Sequence, residues 1–545
     1  MRGKIYIIAL FLLSLIPLFD LFKNGLPITH DGIDHVVRIS NFYQNLTQGN
    51  LIPRWAGNLN WGFGHPILEF LYPFPSYIAS IFHLIGFSLI DATKIVFGLG
   101  MPLSGLFMYL WLREFLGEKE GFIGGLIYMF TPYRFVELYV RGDIGENLAF
   151  AFMPLALFFI LRLSKKINTL NVVGGSVAIS LLILSHNGIS LMYMPFVIFY
   201  CLYLLYLSKN KFLLFRNFLY LILLGFALSA FFWVPALIEG KYTLRNIVTS
   251  GSYLTRFVDI KSLFYSSWSY GGSGEFSVQL GIVNWLTIFF IPFFLFFLRK
   301  QKKIFILILG ITLYTLISIF LMLKQSNFIW GSLILLQNFQ FPWRFLAIPV
   351  FSTAVFGAIL VYSVSKGTKT IVFIVLLFAI LFFNKDYWHA KGYVVKSDNF
   401  FNQIYNGTTD TGESAPIWSV RFMEQRPKNY IDVISGHANI TNLKRSMTMH
   451  NYKIIVEEKS RIVENTLYFP GWEVLVDGKK TNVEFQDQNY RGLMTFDVDK
   501  GAHLVQVMYS ETKLRAASDM ISLASLLAIL VGLGRNIYLS KAGII

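Results

Sequence analysis

Apolar runs long enough to cross a bilayer recur from one end of this chain to the other. They fall near 5–22, 92–112, 121–138, 147–163, 170–185, 190–207, 213–236, 278–298, 304–323, 344–363, 370–384 and 517–534. Each approaches the roughly 20 residues that a helix needs to traverse the hydrocarbon. Backbone polar groups inside lipid must be satisfied internally, and runs of this length can do so only as helices. The chain is therefore expected to be a polytopic α-helical membrane protein with about 12 transmembrane helices. With 14% of residues charged and 55% hydrophobic, a large soluble enzyme is excluded. The single cysteine, Cys201, excludes an intrachain disulfide and a Cys-rich zinc site.

Sidedness depends on one further stretch, 77–89, which is apolar but short, follows Pro73 and Pro75, and is interrupted by His83 and Gly86. Basic clusters occupy alternate connections: Arg162, Lys165 and Lys166; Lys209, Lys211 and Arg216; Arg299 to Lys303; Lys366 and Lys369; Arg535 and Lys541. If 77–89 does not span, all of them share a side with Arg2 and Lys4, as the positive-inside rule requires. We therefore expect 77–89 to be an interfacial or re-entrant helix. The first run, with no small-residue cleavage site before Asp20, reads as a retained signal anchor. Both termini are then cytoplasmic, in the cytoplasmic (cell) membrane. The loops 23–91, 139–146, 237–277 and 324–343 and the stretch 385–516 are extracytoplasmic. Almost all of the +16 net charge becomes a topology signal, and nucleic acid is not an expected partner.

Three regions follow: a multi-span domain over 1–384, an extracytoplasmic β-rich domain over 385–516, and a final transmembrane helix with a cytoplasmic tail over 517–545. The middle region shows β-type alternation at 452–457, 472–476, 493–498 and 503–509, with turns at Asp477-Gly478 and Lys500-Gly501. That pattern suggests a sandwich-like antiparallel domain. No Walker or dinucleotide fingerprint is present; Gly271-Gly272-Ser273-Gly274 lacks the lysine and reads as a loop, so a nucleotide-sugar or ATP site is unsupported.

The densest chemistry is His30-Asp31-Gly32-Ile33-Asp34-His35, just outside the first span. Two carboxylates and two imidazoles at a membrane surface can supply a general base, align an acceptor hydroxyl, or bind a cation. A solvated loop is the plainer alternative, but acids set against a bilayer are costly unless used. Arg141-Gly142-Asp143-Ile144-Gly145-Glu146 comes at the outer end of the third span. Asp143 and Glu146, three apart, suit either cation binding or a helix N-cap. His186, Glu239 and Arg344 are placed at other outer ends. A guanidinium at Arg344, beside Trp343, can grip phosphate with two parallel hydrogen bonds or merely anchor the helix.

Several of these motifs carry a resemblance. Pro53-Arg54-Trp55, Trp61-Gly62-Phe63-Gly64-His65-Pro66 and Tyr72-Pro73-Phe74-Pro75 resemble the first outer loop of a bacterial membrane-protein family described as 6-pyruvoyl-tetrahydropterin synthase-related. Pro132-Tyr133-Arg134, Ser185-His186-Asn187 and Phe341-Pro342-Trp343-Arg344 resemble it too. Phe469-Pro470-Gly471-Trp472, Asp477-Gly478 and Gly501-Ala502-His503 are similar to the end of YfhO-type membrane proteins. Both groups resemble the GT-C superfamily of multi-span glycosyltransferases, which take a polyprenyl-phosphate-linked sugar as donor. That resemblance implies a GT-C-like fold, a catalytic acid in the first outer loop at Asp31 or Asp34, and further acids in the second at Asp143 and Glu146.

The resulting expectation is an inverting transfer to a glycan, lipid or protein acceptor on the outer face. Asp31 or Asp34 would be the base, with His30, His35, His186, Glu239, Asp143 and Glu146 aligning substrates. Arg344 and Arg141 would bind the lipid phosphate, and Mg or Mn would sit, if a cation is used, between Asp143 and Glu146. Trp55, Trp61 and Tyr72 would stack on sugar rings or line the lipid's path, and the β domain would hold the acceptor or act as scaffold. The rival class, a transporter or flippase of lipid-linked glycans, calls for polar residues deep in several spans and for internal repeats. No repeat is evident, and the acids gather at outer ends.

Overall fold

A computed structural model describes residues 2–272 and 275–541; Ser273 and Gly274 of the glycine-rich loop lie outside the described residues. Among the described residues, 9 helices are long and apolar enough to cross a membrane, from Gly3–Phe22 to Lys513–Asn536. They correspond to nine of the twelve expected runs. Two more, Thr169–Ser185 and Ile282–Phe297, are shorter apolar helices. The remaining run, 121–138, is not a continuous helix. It breaks into Glu118–Met129, Pro132–Phe135 and a π-helical turn, Val136–Arg141. Pro132 starts a new helix because it cannot donate to the preceding turn. The stretch 77–89 folds as helix Phe74–Leu84, 11 residues long and too short to span. Ile81, Leu84 and Ile85 are exposed at its end, as an interfacial helix requires.

The connections sort to two ends. At one end, Lys165 pairs with Glu114 (2.9 Å) and Lys369 with Glu120 (2.6 Å), and the Tyr203 hydroxyl donates to the Lys303 carbonyl (2.9 Å). At the other, the backbone N–H groups of His30 and Asp31 donate to the carbonyls of Val140 and Arg141 (both 2.9 Å). Alternate loops therefore meet as the charge pattern requires. Between the ends, small residues let helices approach closely, the usual packing device where lipid supplies no hydrophobic drive. A Cβ on Gly100 would lie 2.7 Å from the Asn147 carbonyl oxygen, and one on Gly125 would lie 2.8 Å from that of Gly105. Pro154 leaves the Phe150 carbonyl without its helical donor, and the Tyr128 hydroxyl supplies one instead (2.9 Å).

Beyond the spans, β1 (Leu26–Pro27) pairs with β2 (Tyr393–Val394), tying the first loop to the chain that leaves the bundle. The C-terminal domain is one antiparallel sheet rather than the expected sandwich. Its strands are β3 (Ile431–Arg445), β4 (Met449–Leu467), β5 (Trp472–Val476), β6 (Lys479–Lys480), β7 (Leu493–Val498) and β8 (Gly501–Tyr509), in the order β3-β4-β8-β5-β6. Strand β4 is 19 residues long. One half pairs with β8 and the other with β7, so a single strand does the work of two shorter ones. The segment 395–430, irregular except for the turn Asp398–Phe401, packs on the first loop. Asn60 and Trp61 donate to the carbonyls of Gly407 (2.8 Å) and Tyr405 (2.9 Å).

Candidate functional site

A cleft of about 770 Å³ opens where these loops converge. Its polar floor is built by the first and second loops, its apolar walls by helix Asn187–Leu207 and the stretch 226–237 across two helices, and its roof by 409–414 and 335–344. His30, Asp31, Asp34, His35, Arg141, Asp143, His186 and Arg344 all line it. The sequence thus brings eight of its ten candidates to one place; Glu146 lies directly behind them.

Asp31 stands at the N-cap of helix Gly32–Thr47, yet its carboxylate does not cap that helix. Burial pushes its carboxyl above the usual range, against the opposing charges of Arg141 and Arg38, and Asp143 and Asp34 add to the upward shift. Asp34, one helical turn on, accepts from the Tyr405 hydroxyl (3.1 Å). Burial raises it too, opposed by Arg38 and that hydrogen bond. His35 is pushed down to about 3, by burial first and Arg38 second, so it is neutral at pH 7. Its Nδ1 faces Arg38 (3.2 Å), and its Nε2 is buried without a partner.

The second loop is a closed ionic unit. Gly142 adopts a left-handed conformation (φ 69°) that turns the chain from the π-helical turn into helix Ile144–Lys165. Asp143 caps that helix through the Glu146 N–H (2.9 Å) and accepts from the Tyr72 hydroxyl (3.1 Å). Arg141 bonds Glu137 (2.6 and 2.5 Å), Glu146 (2.8 Å) and Asp143 (3.0 Å), with its guanidinium 4.5 Å from the Trp343 ring centre. Glu146 also accepts from the Tyr133 hydroxyl (2.6 Å). His186 caps its own helix by accepting from Ile189 N–H at Nδ1 (3.0 Å) and turns Nε2 toward Asp143 (3.7 Å). Burial works against ionised Asp143, but His186, Arg141 and Arg344 outweigh it and hold its carboxyl well below the usual range.

Asp143, Glu146 and His186 offer ligand atoms within 4.8 Å of one another, the spacing of a metal trio. Their hydrogen bonds argue for a different occupant. Both oxygens of Asp143 and both of Glu146 already accept bonds, and the cation they enclose is the Arg141 guanidinium. The set therefore fits a guanidinium better than Mg or Mn, and Arg141, saturated by three carboxylates, is not free for a phosphate. Arg344 is differently placed. It donates to the Phe339 carbonyl (3.2 Å) and lies 4.9 Å from the Phe341 ring centre, while its Nε is buried without a partner.

Glu239 lies outside the cleft. It accepts from Thr512 (2.8 Å) and Arg515 (2.8 Å), and Arg515 also pairs with fully buried Glu69 (2.8 Å). Trp55, expected to meet sugar, is 1% exposed and packed edge-on against Trp472. Trp61 does not line the cleft, whereas Tyr72 does. The sequence reading missed Glu137, Arg38, Tyr405 and the roof residues Thr409 and Asp410. Arg38 donates through Nε to the Thr409 hydroxyl (3.0 Å), and Asp410 pairs with His65 (3.4 Å). Glu137 was detectable, being the one acid of the run 121–138 and four residues before Arg141.

Residues 68–389 match the model of a family described as 6-pyruvoyl-tetrahydropterin synthase related domain, membrane protein. An uncharacterized protein from Lactococcus lactis subsp. cremoris is 25% identical over 259 residues, which is 45% of this chain and 41% of that protein. The match thus spans under half the length of that relative. Among solved structures, ArnT from Cupriavidus metallidurans bound to undecaprenyl phosphate is 14% identical with a TM-score of 0.40, covering 68% of this chain and 63% of that one. The arabinofuranosyltransferase AftD from Mycobacteria is 14% identical with a TM-score of 0.42, covering 71% and 27%. The archaeal oligosaccharyltransferase AglB from Archaeoglobus fulgidus, in complex with an inhibitory peptide and a dolichol-phosphate, is 14% identical with a TM-score of 0.43, covering 78% and 62%.

Proposed function

The chain belongs to the family of membrane proteins described as 6-pyruvoyl-tetrahydropterin synthase related, and on that premise we propose that its cleft transfers a sugar from a polyprenyl-phosphate-linked donor to an acceptor hydroxyl at the extracytoplasmic face. One observation carries the reading. A carboxylate outside any cap or ion pair among the described residues, Asp31, shares an apolar-walled cleft with Arg344, a guanidinium whose Nε has no partner.

The donor phosphate lies against Arg344, and its hydrocarbon tail runs along the apolar wall that includes Leu191, Phe232 and Leu237. The acceptor hydroxyl approaches the anomeric carbon from the side opposite the phosphate, and Asp31 takes its proton as the new carbon–oxygen bond forms. The bond from that carbon to the phosphate oxygen breaks, and the lipid phosphate leaves with its electron pair, so configuration inverts. General-base help of this kind contributes about 10²–10⁴ in rate. Asp34, hydrogen-bonded to Tyr405, is the alternative base. The raised pKa of Asp31 suits the role because a stronger base accepts the proton more readily. Arg344 offsets charge that develops on the leaving group. Arg141, locked by its carboxylates, fixes the loop on which Asp31 rests through the backbone bond to its carbonyl. No step requires a cation.

The test compares envelope glycans and lipid-linked sugars in cells carrying wild type, Asp31→Asn or Asp34→Asn at equal protein level. Loss of acceptor decoration with Asp31→Asn supports the assignment. Normal decoration in both variants refutes it, and accumulation of donor lipid on the inner leaflet would make the protein a transporter instead.

A further inference from the structure

A second pocket, of about 220 Å³, lies where helix Gly32–Thr47 and the loop after it meet the sheet. It shares no lining residue with the cleft. Gln44 faces it from the helix and Gln48 from just past its end, Tyr430 and Arg445 from the sheet side, and Phe63 lines it above the buried Trp55. The wall is unusually polar for a junction between two packed elements, and its charges are already balanced. Arg445 pairs with fully buried Glu464 (2.7 Å), donates to Thr466 (3.1 Å) and lies 4.2 Å from the Tyr430 ring centre. Glu464 also accepts from Tyr452 (2.7 Å). Burial raises the Glu464 carboxyl, but His450 and Arg445 outweigh it and hold it at about 2. Burial is also the main influence that lowers His450, against the opposing pull of Glu464.

A balanced pocket offers no net charge to hold an anion or a cation. Gln44 is tied to Ser40 and Asn58, and Gln48 Oε1 accepts from the Met447 N–H (2.8 Å), so the pocket offers a ligand the Gln48 amide nitrogen, the Tyr430 hydroxyl and the Phe63 ring, which match a neutral, hydroxyl-rich ring. Two links connect it with the cleft. Ile404 lines the pocket, and its neighbour Tyr405 bonds Asp34. Gln44 follows Asp34 by ten residues on one helix, about 15 Å at a rise of ~1.5 Å per residue, the reach of a few sugar units.

We propose that this pocket is a distal acceptor subsite, holding one neutral sugar of an oligosaccharide while a hydroxyl further along that chain sits at Asp31. This rests on the transfer reading above and names its acceptor as a glycan several sugars long. The test uses the full chain in lipid nanodiscs. Ser446→Cys places a thiol at the pocket, Lys500→Cys places one on an exposed turn, and the native Cys201 is buried. The probes are the neutral polysaccharide and, separately, the phosphate-bearing polymer extracted from the native envelope, each sized into short and long fractions.

Long neutral chains are expected to slow maleimide labelling at position 446 severalfold and to leave position 500 unchanged. Gln48→Ala should raise the acceptor KM severalfold with kcat unchanged, as loss of uniform binding does. Protection by the anionic polymer alone, or by neither fraction, overturns the proposal. Asp31→Asn should abolish transfer yet keep protection at 446. Protection that persists while Asp31→Asn stays fully active would sink the catalytic reading and leave a glycan-binding site, so the two failures are distinguishable.

Discussion

Replacing Arg141 with methionine should destabilise the fold as well as disturb the cleft. Arg141 is 4% exposed, and its guanidinium touches three carboxylates, those of Glu137 at 2.5 Å, Glu146 at 2.8 Å and Asp143 at 3.0 Å. Methionine keeps most of the volume and removes all of the charge, leaving three acids facing one another in a space from which water is excluded. Breaking one buried pair by removing one partner costs about 3–5 kcal/mol. Protonation of the acids caps the total, so the loss should be at least that of one pair, against a typical whole stability of about 5–15 kcal/mol. An apparent melting midpoint lower by about 3–5 °C or more follows, from an unfolding entropy of roughly 2.1 cal/mol/K per residue. A thiol-reactive fluorophore reads the midpoint directly, because the only cysteine, Cys201, is buried and becomes reactive on unfolding. Adding Glu137→Gln and Glu146→Gln to Arg141→Met should recover part of the loss, since the cost lies in uncompensated charge. A midpoint for Arg141→Met indistinguishable from wild type would refute the reasoning. A triple variant no better than the single one would locate the cost in shape instead.

Arg344→Met should behave in the opposite way, lowering the midpoint far less while donor KM rises steeply, because Asp143, whose ionised form it supports, stays paired with Arg141. The pH profile of kcat/KM should fall on the acid side with a midpoint above the ordinary aspartate value of about 3.9, since burial raises Asp31. The same shift has a stability consequence. A carboxyl raised in the folded state binds its proton more tightly there than in the unfolded chain. Ionisation at neutral pH therefore destabilises the fold, and the penalty vanishes as pH falls below the unfolded value. Asp31→Asn should accordingly raise the midpoint at pH 7 while abolishing transfer, and the gain should shrink in acid. Treatment with EDTA should leave activity intact, since the Asp143 and Glu146 oxygens are already engaged by Arg141 and its neighbours; loss restored by Mg or Mn would return the trio to a metal.

The convergence of Asp31, Asp143, His186 and Arg344 was legible in the sequence because lysine and arginine mark one side of a bilayer. Parity then sends every alternate helix end to the other side. Parity fixes depth and says nothing about lateral position, which is why Glu239 was placed at the right end and in the wrong company. Its partners Glu69 and Arg515 are 170 and 276 residues away, and nothing local announces them. The same limit hid the roof. Arg38 and Thr409 are 371 residues apart and meet across a hydrogen bond of 3.0 Å. In composition, 395–430 looked like part of a β domain; in the structure it closes the cleft, with the Tyr405 hydroxyl on Asp34. The roof therefore cannot be removed as an appendage. Deleting 385–516 would strip Tyr405 from Asp34 and Thr409 from Arg38, and would open to water the side of the cleft on which the two first-loop carboxylates lie. Water there would lower the raised pKa of Asp31 toward that of a free aspartate and weaken it as a base. The proposed base belongs to the first loop, and the segment that roofs it follows by more than 370 residues.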